Sequence, residues 1–267
     1  MMHDVLAVLS IVLYGMSIIW LVVDVLNHKT SRFVIVPAWF AVMMHFMQLG
    51  SEFVVTGSLN FSFIHVVSLV SALVSLLLLL ASLSKPVEKL GLGVFPLAAM
   101  VLLCLQFSHA DPVTMKIDNW QMAAHIITSI IAFSLLNIAA LQAILLLIQE
   151  KQLRKHPPSL FIQTLPSLQT MESLLFQMIA IGLLFLTVSL LSGFVFIEDL
   201  LAQHLAHKTV LGMIAWVIFS ALLVGKIRYG WRGKMAVKWT LAGFVLLLLA
   251  YFGSKLVLEV ILERSLG

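Results

Sequence analysis

The chain has 267 residues, of which 61% are hydrophobic and only 10% charged. A soluble domain carries roughly 25% charged residues, so this chain is solvated mainly by lipid. With 16 basic residues against 12 acidic ones, the charge is too balanced for a nucleic-acid binder, and basic loops have another explanation in membrane proteins. The single cysteine, Cys104, excludes an internal disulfide, a Cys-x-x-Cys redox pair and a Cys-x-x-Cys-His haem-attachment motif.

In chain order, apolar runs near the length a bilayer-crossing helix needs predict eight spans. They cover 4–26, 34–56, 61–84, 90–108, 121–149, 171–197, 208–226 and 237–261. The first run has neither the basic flank nor the small-residue cleavage site of a signal peptide and reads as a mature span. Gly91, Gly93 and Pro96 are expected to loosen the fourth.

The connections then orient the bundle. Lys29 and Arg32, Lys85 and Lys89, Lys151, Arg154 and Lys155, and Lys226, Arg228, Arg232, Lys234 and Lys238 fall on one side, twelve of the sixteen basic residues. The positive-inside rule makes that side cytoplasmic and both termini external. The sequence therefore predicts an all-α integral membrane protein, a polytopic bundle of about eight transmembrane helices, N-out and C-out. It forms a single polytopic domain over 1–267, with the lipid bilayer as its main partner. No soluble domain or internal repeat is visible, the latter against an inverted-repeat transporter. The outer segment 109–120 ends on Trp120, a typical interfacial anchor. The inner segment 150–170 carries Pro157, Pro158 and Pro166 around Leu160, Phe161 and Ile162, a mix that suggests a short interfacial element.

Ionisable groups in hydrocarbon cost at least ~2.5 kcal/mol each, so each needs a reason. His45, Gln48 and Glu52 recur at i, i+3 and i+7 on one face of the second span. Two readings stay open: a hydrogen-bonded stripe that ties helices together, or a ligand or proton path centred on His45. His65 and His125 enter the third and fifth spans from the outer side, where a neutral imidazole can offer one ring nitrogen to a metal. Asn137, Gln142, Gln177 and the serines at 129, 134, 189 and 192 read as helix–helix glue. No phosphate loop, His-Glu-x-x-His zinc motif or Gly-x-Ser-x-Gly elbow is present, so the sequence supports neither an ATP-driven pump nor a membrane hydrolase.

From His207 the chain reads His-Lys-Thr-Val-Leu-Gly-Met-Ile-Ala-Trp, then Gly230-Trp-Arg-Gly233, Trp239-Thr-Leu-Ala-Gly-Phe and Tyr251-Phe-Gly253. This ordered set, with 125–154 and 165–196 before it, resembles the cytochrome c assembly superfamily of CcsA-, ResC- and HemX-like membrane proteins. The YpjD-like inner-membrane branch is the nearest in pattern, and the resemblance is strongest over 120–255. It implies haem as cofactor, held at the outer face by histidines. His125 matches the first outer histidine of the family, His207 stands at the lip of the seventh span, and His45 and His65 come from earlier spans. Glu52, Gln48, His204 and Lys208 are the supporting or pathway residues, with Lys208 placed to attract a haem propionate.

Three features depart from the family's haem ligases. The Trp-rich outer loop is replaced by the tryptophan-free run 193–207, no histidine lies near 223–225, and none follows Gly253. The expectation is thus a non-enzymatic haem-handling protein of cytochrome c biogenesis or of haem-synthesis regulation. The alternatives are a small-solute or ion transporter or its accessory subunit, with His45, Gln48 and Glu52 lining the path, and a scaffold binding a membrane protein through 150–170 and 226–238.

Overall fold

The computed structural model describes residues 2–27, 32–56, 59–60, 62–108, 114–115, 120–154, 162–163, 165–196 and 203–253. Among these, eight α-helices follow in order: α1 (Met2–Leu26), α2 (Val36–Thr56), α3 (Phe63–Ser84), α4 (Gly91–Gln106), α5 (Trp120–Leu153), α6 (Leu168–Phe196), α7 (Gln203–Tyr229) and α8 (Lys234–Leu248). A π-helical turn, Leu249–Gly253, continues α8. Short 3-10 turns, Arg32–Ile35 and Glu88–Leu90, lead into α2 and α4. Leu59–Asn60 and Thr114–Met115 form a small antiparallel pair with Leu59 opposite Met115. Eight helical segments are long and apolar enough to cross a membrane, which makes this a polytopic all-α membrane protein. In hydrocarbon only a helix or a closed barrel satisfies every backbone group internally, and these leucine- and valine-rich runs take the first solution.

The ends of the elements differ from the hydropathy reading in three places. Helix α4 runs unbroken from Gly91 with Pro96 inside it. Helix α5 has 34 residues, about 51 Å at 1.5 Å per residue, and overshoots a hydrocarbon core of about 30 Å. Helix α7 begins at Gln203, five residues before the apolar run, so His204 and His207 belong to its first turns and not to a loop. Large apolar side chains such as Ile19, Leu26, Leu184, Leu191 and Ile227 point outward, as a lipid-facing surface requires.

The chain forms two compact units. One comprises Met1–Lys116 with Gln152–Pro166, the other Ile117–Lys151 with Ser167–Leu266. In the first unit, α1 carries a polar residue every seventh position: His3, Ser10, Ser17 and Asp24. Seven residues are close to two helical turns, so these positions form one seam. Ser10 Oγ donates to the Ala41 carbonyl at 2.8 Å and Ser17 Oγ to the Val34 carbonyl at 3.1 Å, while the Gln48 amide reaches His3 Nε2 at 2.8 Å. As α1 rises by seven residues its partner falls by seven, the register of an antiparallel helix pair. The buried Ala38 and Ala41 let the two backbones approach. At the far end of the seam Asp24 forms an ion pair with Lys89, both side chains about 95% buried.

In the second unit, close helix approaches rest on glycine. A Cβ at Gly182 would lie 2.8 Å from Leu136 Cγ, and one at Gly243 would lie 2.9 Å from the Phe219 ring. The Gln142 amide donates to the Met171 carbonyl at 2.9 Å, joining α5 to α6 as its reading as helix glue anticipates. Between α7 and α8 the chain turns through Gly230 and Gly233, at φ 67° and 58°. Glu172 holds this turn, accepting from Lys226 Nζ at 2.6 Å and from the Gly233 N–H at 3.4 Å.

Candidate functional site

The histidines singled out from the sequence fall into two environments. His45 is fully buried in the first unit. Its Nδ1 faces the Tyr14 hydroxyl at 3.4 Å and its Nε2 faces Ser68 Oγ at 2.9 Å. Whichever nitrogen carries the proton, a hydroxyl can complement the other, because a hydroxyl both donates and accepts. The Tyr14 ring meets His45 edge-on, with centroids 6.1 Å apart, and stacks on Phe95 on its other side. His45 therefore closes a polar knot among α1, α2 and α3. Gln48, one turn away and also fully buried, joins α2 to His3 on the seam, while its Oε1 has no partner among the described residues.

His65 sits in the first turn of α3. Its Nδ1 lies 2.7 Å from Ser62 Oγ and its Nε2 3.3 Å from the Asn60 amide. Both nitrogens are again engaged, here by the turn that starts the helix.

His125, one turn into α5, differs. Its Nδ1 lies 3.0 Å from the carbonyl oxygen of Ser189 on α6. A carbonyl only accepts, so Nδ1 carries the proton. Ser192 Oγ lies 3.1 Å from the same nitrogen and donates its own hydrogen to the Ser189 carbonyl at 2.9 Å. The Nδ1–H thus points between two oxygens. In the neutral imidazole this leaves Nε2 as a bare lone pair, and it makes no hydrogen bond among the described residues. Such an arrangement is the one a metal-ligating histidine uses, one nitrogen tied to a carbonyl and the other offered to the metal.

Lys208 is half-buried near the start of α7. The side chains of Glu52, His204 and His207 lie outside what the structure describes, so the expected pairing of His125 with His207 does too. Within the segment 150–170, residues 155–161 and 164 lie outside the described residues, and Ile162 and Leu165 are buried. In 226–238, Lys226 is held by Glu172, while Arg228, Arg232, Lys234 and Lys238 are exposed. Among the described residues no group of three or more His, Cys, Asp or Glu side chains is placed to hold a metal ion. A porphyrin-bound iron asks less, because the macrocycle supplies four donors and the protein needs to add only one or two. The His125 geometry fits that requirement.

Residues that sequence reasoning passed over complete the picture. Asp24 was hidden in an apolar run, and its signal was the seven-residue spacing from His3. Ser129, Ser189 and Ser192, read as general helix glue, converge on His125.

Among the described residues, eight helices long and apolar enough to cross a membrane define the class as polytopic all-α membrane proteins. The family model described as "Cytochrome C assembly protein" matches residues 35–262, and the chain belongs to this family. It is 32% identical over 262 residues to the "Inner membrane protein YpjD" of Escherichia coli strain K12, covering 96% of this chain and 99% of that protein. It is also 27% identical over 157 residues to the "Cytochrome c biogenesis protein CcsA" of Chlamydomonas reinhardtii, covering 58% of this chain and 43% of that one. A protein of the same name from Gloeothece citriformis is 28% identical over 101 residues, 37% of this chain and 31% of its own. No solved structure matches the chain. It is a multi-pass protein of the bacterial inner membrane.

Proposed function

We propose that the protein binds haem at the outer face of the inner membrane as a non-enzymatic participant in cytochrome c biogenesis or in the regulation of haem synthesis. The observation that carries this reading is the His125 ring, fixed with Nδ1–H on the Ser189 carbonyl and with Nε2 unoccupied by any hydrogen bond among the described residues. The names of the CcsA relatives point to the same chemistry. His125 and His207 would hold the haem iron, and Lys208 would meet a propionate. Bound there, haem would supply a one-electron redox centre whose potential is tuned by the residues that hold it and their hydrogen bonds. The chain's own work is to hold the imidazole in one tautomer, exclude water with the apolar helices around it, and keep the ring from turning.

His45 and His65 are assigned structural roles in this reading, since both of their ring nitrogens already have partners. Purification of the full chain from cells with raised haem synthesis, followed by absorption spectroscopy, tests the proposal. A Soret band is expected that weakens strongly in His125→Ala and His207→Ala. Folded wild-type protein that remains colourless would overturn it.

A further inference from the structure

Helix α8 does not end as an ordinary α-helix. Its last residues, Leu249–Gly253, widen into a π turn, a feature that concentrates at functional sites because one inserted residue re-aims the side chains around it. The aromatic residues of this turn pack on α5. Tyr251 and Phe252 lie 4.9 and 5.3 Å, centroid to centroid, from the buried Phe133. The turn also sends the Tyr251 hydroxyl to the Ser129 carbonyl, where it donates at 3.1 Å.

Ser129 is one turn beyond His125 and is linked both to the His125 backbone and to Ser189. Its Oγ donates to the His125 carbonyl at 2.6 Å and lies 2.5 Å from Ser189 Oγ. With the Ser129 hydrogen used on His125, the Ser189 hydroxyl is the donor in that second contact. The Ser189 carbonyl in turn receives the His125 Nδ1–H. The phenol, two hydroxyls and a carbonyl thus make a closed set of ties from α8 through α5 to α6, and the imidazole hangs from it. A lone helix–helix hydrogen bond in a membrane contributes little, about 0.6 kcal/mol on average. Several that together hold the His125 backbone and the Ser189 acceptor in place restrict the ring's rotamer and its tautomer together.

We propose that Tyr251 is a positioning residue for His125: acting through Ser129 and Ser189, with Ser192 as second acceptor, it locks the ring as the Nδ1–H tautomer and keeps Nε2 available as the ligand atom. This rests on the reading of His125 as a haem ligand only for its purpose. The lock itself belongs to the protein without haem and can be measured there.

The experiment is nitrogen-15 NMR of the full-length, histidine-labelled protein in detergent without haem, with the His125 signals assigned by their loss in His125→Gln. The wild type is expected to show a protonated Nδ1 and an unprotonated Nε2. Removing the Tyr251 tie in Tyr251→Phe is expected to lower that tautomer's excess, by at most the roughly three- to tenfold that one hydrogen bond supplies, whereas Ser192→Ala should not lower it, because a hydroxyl complements either tautomer. Trp216→Phe is the control. It breaks a bond of similar kind, Trp216 Nε1 to Thr187 Oγ1 at 2.8 Å between α7 and α6, away from the His125 ties, and should leave the ratio unchanged. A wild type carrying its proton on Nε2, no change in Tyr251→Phe, or an equal change in the control would each overturn the proposal. If the tautomer behaves as expected but the wild type takes up no haem, the lock stands and the haem reading fails.

Discussion

The two units each set a histidine against hydroxyl-bearing side chains, and they use it in opposite ways. In the first unit His45 has hydroxyls on both edges and closes a network of α1, α2 and α3. In the second, His125 is tied on one edge by Ser189 and Ser192, and the network stops at Nε2. A polar group inside a membrane bundle contributes to packing when all its valences are met, and to chemistry when one is held open by the others. What separates the two is the number of partners, since both are histidines in apolar helices.

Substitutions can break or sharpen this contrast. The largest effect is expected at the open edge: His125→Ala should lower haem per folded protein by at least about tenfold, while His45→Leu should leave it at the wild-type level. Absorbance at the Soret maximum, normalised to protein, measures both, and the reverse pattern would exchange the roles assigned to the two residues. Next comes the buried ion pair of the first unit. Asp24→Asn or Lys89→Met alone should cost about 3–5 kcal/mol by stranding a buried charge, and the double replacement should recover most of it. Unfolding in detergent with increasing denaturant reads this directly. His45→Leu should destabilise by about 1–3 kcal/mol because Tyr14 and Ser68 lose their partner, and a Tyr14→Phe, His45→Leu, Ser68→Ala triple variant should regain much of the loss. The smallest change is expected on the seam, where Ser10→Ala and Ser17→Ala should each cost about 0.6 kcal/mol and add nearly independently.

The eight spans were legible because hydropathy alone decides whether a helix enters lipid, and no tertiary contact is needed to see it. The family was legible in the ordered motifs of the C-terminal half. The start of α7 was not, since Gln203, His204 and His207 are polar and only the helix's own continuation carries them. Nor could spacing reveal which histidine was closed. His45 and His125 look alike in sequence, and the partners that distinguish them come from Tyr14, 31 residues before the first, and Ser189, 64 residues after the second. The seam of α1 was readable in principle at positions 3, 10, 17 and 24, but serine is too common in membrane helices to stand out until its acceptors are known.

The Asp24–Lys89 pair also has a bearing on how the protein is made. Its members are 65 residues apart in the chain, and at about 5–20 residues per second of synthesis Lys89 emerges several seconds after Asp24. The serine ties between α1 and α2 need only the residues up to Ala41, so that hairpin can zip while the ribosome is still extending the chain. The Asp24 carboxylate at the end of the hairpin meets Lys89 only once the start of α4 has been made. Assembly of the first unit therefore has a built-in order: a weak, early zipper sets the register, and a late ionic bolt fixes it.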